Sequence, residues 1–203
     1  MFYIIIKTLL WSILKLYNRI NLHGKSSIPK QGGFILVSNH TSYLDPVYIG
    51  ISLPRKLHFM AKKEAFRSPI FRWILTQLGA FPVDRDRIGV KTVRKAIQIL
   101  TDQHVLAIFP QGTRKGELEI STIKQGAAYF SLKTKSPILP VYIKGTDKVM
   151  PKGQAWIRPA KVDIYFGHLI QVNGLEKLNQ EMAMEALSDQ IKEEMNRLAK
   201  QLS

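Results

Sequence analysis

The chain has 203 residues, 45% of them hydrophobic, and a formal net charge of +15. This length and apolar content suit one folded domain with its own core, and the absence of cysteine excludes disulfides, thiolate metal sites and a cysteine nucleophile. Because no H-E-x-x-H, G-x-S-x-G, Walker or G-x-G-x-x-G pattern occurs, zinc-protease, serine-hydrolase and nucleotide-binding chemistry lack support.

Basic residues are concentrated in the first half of the chain. Residues 1–30 contain five basic and no acidic side chains, and residues 55–95 contain eleven basic and three acidic ones. Such a surface attracts polyanions, so a nucleic acid, an anionic lipid surface and an acidic protein are the candidate partners.

The first twenty residues have the pattern of an amphipathic helix. Basic residues interrupt the apolar run, so it is too short to cross a bilayer, which takes ~20 apolar residues. The polar side chains fall within an arc of roughly 140°, and these are Lys7, Thr8, Ser12, Lys15, Asn18 and Arg19. The apolar face is typical of a helix in a membrane interface, although a helix packed on the protein's own core is the alternative. We predict a membrane-associated helix in residues 1–25 and one folded domain in residues 26–203.

A histidine and an aspartate follow the first predicted strand. Residues 33–38 form a short β-branched run that begins at glycine, which indicates a buried strand. His40 stands at its carboxyl end, where open α/β sheets bind ligands. Asp45 can meet His40 only if the histidine lies in a loop and the aspartate in the first helical turn. A carboxylate so placed would fix the tautomer of a histidine, whose ordinary pKa is ~6.5, and make it a general base for an alcohol.

A structural role for Asp45 would explain the same residues. Asp45 before Pro46 has the pattern of a helix N-cap followed by proline at the first helical position. Ser42 with Asp45 three residues later also resembles a capping box. The catalytic interpretation therefore needs a second motif.

A strand and a helix rich in aromatic and basic residues come next. Residues 57–61 are expected to form the strand, and the helix runs from Lys62 to about Leu78 with a break at Pro69. Aromatic and basic side chains together also occur in nucleic-acid stacking surfaces, but the helical spacing favours a packed or membrane-facing surface. Residues 90–100 predict another amphipathic helix, packed on the sheet.

The second polar motif follows another buried strand. Residues 105–108 form a continuous apolar run, which is followed by Phe109-Pro110-Gln111-Gly112-Thr113-Arg114. Gly112 permits close approach of the backbone, Thr113 offers a hydroxyl, and Arg114 presents a planar fork suited to a phosphate. A plain polar turn with a solvated arginine is the alternative for this segment alone.

The remaining elements complete an α/β pattern. A helix is expected from about residue 124 to about Lys133, a last strand at residues 162–166, and a closing helix from about Leu178. Strands that alternate with helices predict a single α/β domain with a mainly parallel or mixed sheet flanked by helices.

Together, the two polar motifs resemble the lysophosphatidate acyltransferases, the glycerophospholipid acyltransferase family marked by H-x4-D and F-P-E-G-T-R motifs. Residues 40–45 match the first motif, and residues 109–114 match the second except that Gln111 replaces glutamate. Residues 79–85 are similar to the family's G-x-h-x-h-x-R segment, and residues 137–141 to its V-P-h-x-P-V strand. The resemblance covers about residues 30–145, in the family's order.

The resemblance implies transfer of a fatty acyl group from a thioester to the sn-2 hydroxyl of lysophosphatidate, giving phosphatidate in phospholipid biosynthesis. His40 would be the base and Asp45 would orient it, with no covalent enzyme intermediate. The implied substrate-binding residues are Lys62, Arg85, Gln111, Gly112, Thr113, Arg114 and Lys124. No metal ion and no bound cofactor are expected, since the acyl donor is a co-substrate, either acyl-CoA or acyl carrier protein.

The resemblance and the amphipathic amino terminus together indicate where the protein works. We expect a peripheral or monotopic protein on the cytoplasmic face of the cell membrane, in contact with anionic membrane lipid. The aromatic segment of residues 66–75 would then line the entry for the acyl chain.

Three alternatives stay open at this point. The first is that the acceptor is another lysolipid. The second is that Gln111 marks a catalytically weakened relative, and the third is that the chain is a basic nucleic-acid-binding module. The last explains the charge of +15 but neither the amino terminus nor the two motifs, and no nucleic-acid signature is present. We therefore expect no nucleic-acid partner.

Overall fold

A seven-stranded mixed sheet forms the centre of the computed structural model, which describes residues 2–84, 89–109, 125–151, 154, 156–175 and 178–201. The strands lie in the order β1-β7-β6-β2-β5-β3-β4. Five neighbouring strands, from β6 to β4, are parallel, while β7 is antiparallel to β6 and parallel to β1. Their bounds are β1 Arg19–His23, β2 Phe34–Ser38, β3 Leu57–Lys62, β4 Ala80–Val83, β5 Val105–Ile108, β6 Ile138–Lys144 and β7 Lys161–Phe166.

Helices cover both faces of the sheet. The α-helices are α1 Phe2–Tyr17, α2 Asp45–Ser52, α3 Pro69–Gln77, α4 Val90–Thr101, α5 Gly126–Thr134, α6 Thr146–Val149 and α7 Gln180–Lys200. Short 3-10 helices occupy Lys25–Ser27 and Lys63–Phe66 within the described part of the chain.

Two hydrophobic clusters hold the layers together. Phe34 and Leu36 of β2 face α1 and α2, whereas Ile35 and Val37 face α4, α5 and α7. Every residue of β2 is buried, because a central parallel strand is covered on both faces. This explains why its sequence is a continuous apolar run instead of an alternating one.

The carboxyl ends of the central strands meet at one edge of the sheet. In register, Val37 of β2 pairs with Ile108 of β5, and Phe59 of β3 pairs with Ala107 of β5. The loops that follow these three strands are therefore neighbours. Ligand sites of open α/β sheets form at such an edge.

Most of the predicted elements are present. The strands expected near residues 33–38, 57–61, 105–108 and 162–166 are confirmed. The break at Pro69 is also present, since Lys63–Phe66 is a 3-10 helix and α3 begins at Pro69.

The amino-terminal helix is shorter than expected. It ends at Tyr17, since Arg19–His23 forms the edge strand β1 against β7. In β1, Ile20 and Leu22 pack on the core and alternate with polar residues, which is a strand pattern. Residues 19–23 therefore belong to the sheet, and whether residues 1–25 act as a membrane element stays a prediction.

Helix α1 has one face on the protein and one face exposed. Leu10, Trp11 and Leu14 pack on the core, and the Lys7 ammonium donates to the carbonyl of Leu53 at the end of α2. Lys7 belongs to the polar arc of the helical wheel, and it is half-buried, so that burial lowers its pKa. Large aliphatic residues occupy the outer face and are exposed, namely Ile4, Ile5, Leu9, Ile13 and Leu16. Among the described residues, no helix is both long and apolar enough to cross a bilayer.

Candidate active site

The site begins with a histidine held by a buried carboxylate. His40 lies in the loop after β2, and Asp45 is the first residue of α2. Nδ1 of His40 lies 2.9 Å from Oδ2 of Asp45, and both side chains are buried. This is the geometry that the sequence predicts, with the histidine in the loop and the aspartate in the first turn of the helix.

Backbone amides and a hydroxyl complete the surroundings of the Asp45 carboxylate. Oδ2 also accepts from the backbone N–H groups of Thr41 at 2.7 Å and Ser42 at 2.8 Å, and Oδ1 accepts from the Thr146 hydroxyl at 2.5 Å. Four donors, together with the amino-terminal end of α2, suit an ionised carboxylate, because a buried negative charge needs hydrogen bonds on both oxygens. Nδ1 of His40 therefore donates its hydrogen to Asp45, which leaves Nε2 as the proton acceptor of the neutral ring.

The capping interpretation of Asp45 is only half right. The N-cap residue of α2 is Leu44, and Asp45 and Pro46 follow inside the helix. Asp45 reaches back to the N–H of Ser42 as a capping box requires, but the Ser42 hydroxyl accepts from the N–H of Leu44. The carboxylate thus closes the loop and also holds the histidine.

Thr146 is a site residue that the sequence analysis missed. It begins α6, directly after Gly145, whose φ of 96° lies in the left-handed region. A Cβ at Gly145 would collide with the carbonyl of Lys161, so glycine is required for the turn that brings Thr146 to Asp45. The hydroxyl of Thr41 lies 3.3 Å from that of Thr146. No local pattern marks Thr146, because its partner is 101 residues away.

Asn39 fixes the loop that carries His40. Its side-chain Nδ2 donates to the carbonyl of Ile143 at 2.7 Å, and its Oδ1 accepts from the N–H of Ile143 at 2.8 Å. The amide continues the ladder between β2 and β6 by one position. Asn39 therefore attaches the loop to the sheet, and Asp45 attaches His40 to α2.

A cleft of about 440 Å³ opens beside His40. This volume lies within the range of small-ligand sites. The ring of Phe109, which follows β5, lies 4.6 Å from the His40 ring between centroids and is tilted by 37°. The other residues that line the cleft are Tyr43, Pro46, Phe59, Met60, Ala61, Lys62, Glu64, Ala65 and Leu75. The walls are mostly apolar, and Lys62 and Glu64 add charge near the histidine.

The comparisons with known proteins agree with this geometry. The model of the family described as Acyltransferase matches residues 19–144, more than half of the chain. The chain belongs to the acyltransferase family. This acyltransferase is 33% identical over 193 residues to the 1-acyl-sn-glycerol-3-phosphate acyltransferase of Streptococcus pneumoniae, covering 94% of this chain and 69% of that protein. It is 30% identical over 191 residues to the protein of the same name from Bacillus subtilis, covering 92% of this chain and 93% of that protein.

A solved structure shares the fold of this acyltransferase. The 1-acyl-sn-glycerophosphate acyltransferase PlsC from Thermotoga maritima has a TM-score of 0.71 and 23% identity, over 97% of this chain and 82% of that chain. The α/β fold with one mixed sheet flanked by helices is thus confirmed, as is the family that the two polar motifs indicated.

The structure brings together three of the predicted site residues of the acyltransferase. His40 and Asp45 are bonded, and Lys62, at the end of β3, lines the same cleft as His40. The other six predicted residues lie outside the described part of the chain, and these are Arg85, Gln111, Gly112, Thr113, Arg114 and Lys124. Their assignment to substrate binding stays a prediction.

Proposed function

We propose that this acyltransferase moves a fatty acyl group from a thioester to the sn-2 hydroxyl of lysophosphatidate and so forms phosphatidate. The observation that carries the proposal is the buried pair of His40 and Asp45 at the carboxyl end of β2, beside a mostly apolar cleft. The relatives from Streptococcus pneumoniae and Bacillus subtilis are both named 1-acyl-sn-glycerol-3-phosphate acyltransferases. The names of these relatives support lysophosphatidate as the acceptor, and the geometry of the site supports His40 as the base.

The proposed reaction uses His40 as a general base. Nε2 takes the proton of the acceptor hydroxyl while the oxygen attacks the thioester carbonyl carbon, and Asp45 stabilises the imidazolium that forms. Collapse of the tetrahedral intermediate breaks the carbon–sulfur bond, and the imidazolium returns the proton to the leaving thiolate. The chain contains no cysteine, so direct transfer agrees with its composition.

Basic residues would anchor the phosphate of the acceptor. Lys62 lies in the cleft beside His40, and Arg114, Arg85 and Lys124 are the further candidates from the sequence. An anchored phosphate holds the hydroxyl next to the base, which converts a collision of two molecules into an oriented attack. Gly112, Thr113 and Gln111 would shape the loop around the phosphate.

We further propose that the enzyme binds the cytoplasmic face of a membrane as a peripheral protein. The exposed aliphatic face of α1 is the surface that supports this placement, since an apolar face next to basic residues suits an anionic lipid interface. Such a position gives the cleft direct access to lipid substrates.

The proposal is tested by an acyl-transfer assay on the purified chain. The acceptors are lysophosphatidate and, as a matched control, lysophosphatidylcholine, whose phosphate is masked by choline. Each is combined with an acyl-CoA and with an acylated carrier protein, because the sequence does not choose between the donors. We expect phosphatidate from at least one donor, and little acylation of the control.

Two results would contradict the proposal. Equal or faster acylation of lysophosphatidylcholine would mean that a phosphate monoester is not what the site recognises. If the purified chain is folded, as shown by cooperative unfolding, and still transfers no acyl group from either donor, the pair of His40 and Asp45 does not perform this reaction.

A further inference from the structure

A tryptophan stands almost fully exposed in the segment before β7. Trp156 is 82% exposed, and its neighbour Ile157 is also exposed. Large apolar side chains are normally buried, and adjacent exposed ones mark an interaction surface. The reaction described above does not use either residue.

Hydrogen bonds to the end of α1 hold this segment in place. The Tyr17 hydroxyl donates to the carbonyl of Ile157 at 3.3 Å, and Nδ2 of Asn18 donates to the carbonyl of Arg158 at 2.9 Å. Asn18 is itself buried and accepts from the Tyr48 hydroxyl at 2.7 Å. The backbone that carries Trp156 is thus fixed to α1 and, through Asn18, to α2.

The exposed residues continue the outer face of α1. Ile5, Leu9 and Ile13 follow at four-residue steps along this helix, and all three are exposed. Leu16 is 92% exposed at the carboxyl end, and Ile157 adjoins Tyr17 through the hydrogen bond above. We call the surface formed by Ile5, Leu9, Ile13, Leu16, Tyr17, Trp156 and Ile157 the apolar strip.

Basic side chains accompany the carboxyl-terminal part of the apolar strip. Exposed cations occur at Lys15 and Arg19 near the end of α1, and at Lys148, Arg158 and Lys161 near Trp156. Asp147 is the exposed acid among residues 144–161 that the structure describes. A surface with large apolar residues, an exposed tryptophan and excess positive charge complements the headgroup region of an anionic bilayer.

We propose that Trp156 and Ile157 form a second membrane contact, which acts with α1 as one docking surface for an anionic lipid bilayer. Trp156 lies at the headgroup level, where its ring is half in hydrocarbon and its indole N–H reaches polar groups. The inference rests on the proposed function in one respect: an enzyme that acylates lysophosphatidate needs access to the bilayer, from which its lipid acceptor comes.

The Trp156 end of the docking surface lies at the active-site edge of the sheet. Lys144 at the end of β6 pairs with Asp163 near the start of β7, and Thr146 two residues later bonds Asp45. The segment before β7 therefore approaches the edge at which His40 stands. Docking through Trp156 brings that edge towards the lipid surface.

Vesicle binding of the full chain tests this inference. The test protein carries Trp156→Ser and Ile157→Ser together, and the control carries Met182→Ser, which removes a residue that is 53% exposed on α7, on the other face of the sheet. Vesicles contain phosphatidylcholine with phosphatidylglycerol. We expect the double variant to partition at least about tenfold more weakly, and the control to match the unaltered chain.

Two outcomes would overturn the inference. Partitioning of the double variant within about twofold of the Met182→Ser control would mean that the segment does not contact lipid, and that a protein partner or a second copy covers it instead. If the double variant fails to fold, bromine-labelled lipid is tested with the Trp11→Phe, Trp73→Phe chain, in which Trp156 is the remaining tryptophan. Quenching of its fluorescence supports the contact, and unquenched fluorescence on bound vesicles overturns it.

The acyl-transfer assay tests the proposed function, and the vesicle test examines the docking surface independently of it. A chain that binds vesicles through Trp156 but transfers no acyl group would retain the docking surface and lose the proposed function. A chain that forms phosphatidate but binds vesicles independently of Trp156 would retain the function and lose the docking surface.

Discussion

Thr146 donates a hydrogen bond to Asp45 on the oxygen that His40 does not contact, at 2.5 Å and from 101 residues away in the sequence. Because its hydrogen is directed at the carboxylate, the Thr146 hydroxyl accepts from Thr41 at 3.3 Å. A continuous chain of hydrogen bonds thus runs from Thr41 through Thr146 and Asp45 to His40. The start of α6, directly after β6, is therefore part of the support for His40.

Replacing Thr146 by valine should weaken catalysis without changing the shape of the site. Valine fills the same buried space but leaves one oxygen of Asp45 without the hydroxyl donor, and we expect kcat to fall by about tenfold, or 1.4 kcal/mol. Urea denaturation of the variant separates this loss of activity from a loss of fold.

Thr146→Ser is the matched control for this change, since it keeps the hydroxyl and removes a methyl group. It should retain most of the activity. A Thr146→Ser variant as slow as Thr146→Val would reduce Thr146 to a packing residue.

Removal of the Asn39 side chain should destabilise the protein. The Asn39→Ala variant leaves the N–H and the carbonyl of Ile143 without their partner, and we expect the free energy of unfolding to drop by about 2–4 kcal/mol. Urea denaturation measures the change. Asn21→Ala in the edge strand β1, which removes one hydrogen bond to Asp163 of β7, should cost about 1 kcal/mol. Similar losses in the two variants would contradict the bridging role of Asn39.

The pH dependence of stability should carry a contribution from His58. Burial, with Lys56, His104 and Lys95 nearby, lowers its pKa from 6.5 to about 4. Between those two values the unfolded chain takes up a proton that the folded chain refuses, so stability falls as the pH drops through this window and the effect is complete below about 4. The full pKa shift corresponds to about 2 kcal/mol between pH 7 and pH 5, and since the His58 ring is only half-buried we expect His58→Gln to remove about 1 kcal/mol of the loss. An unchanged slope of unfolding free energy against pH would contradict the low pKa.

Part of this architecture was predictable because local residue patterns determine it. A continuous apolar run identifies β2 as a strand buried on both faces, and the same is true of β5. His40 and Asp45 were predictable as a pair because only five positions separate them, and a loop followed by a helix start is the geometry that lets them meet. Of the second motif, Phe109 lies beside the His40 ring, as its position at the carboxyl end of a strand predicts, and the placement of residues 110–114 stays a prediction.

The rest depends on contacts between distant segments. Thr146 meets Asp45 only after β6 has paired with β2, and nothing in residues 145–147 marks this contact. A helical wheel places Lys7 on the polar arc of α1, but it does not identify its partner, the carbonyl of Leu53. Strand β1 is short, and its residues continue the helical pattern of α1 in the sequence. Its pairing with β7 overrides this local helical preference.

Neutralising Asp45 should impair catalysis through its effect on the histidine. In Asp45→Asn the amide offers one acceptor oxygen to a set of four donors, and it cannot stabilise the imidazolium with a charge. We expect kcat to fall by at least about a hundredfold. The acyl-transfer assay at saturating lysophosphatidate measures the change, and a variant with unaltered kcat would show that the carboxylate only closes the loop before α2.

The most direct test of the account is the turnover of His40→Ala with lysophosphatidate and the preferred acyl donor. If His40 takes the proton from the acceptor hydroxyl, kcat should fall by about 10²–10⁴-fold while the unfolding transition stays close to that of the unaltered chain. A folded His40→Ala protein that forms phosphatidate at the original rate would contradict the assignment of His40 as the base.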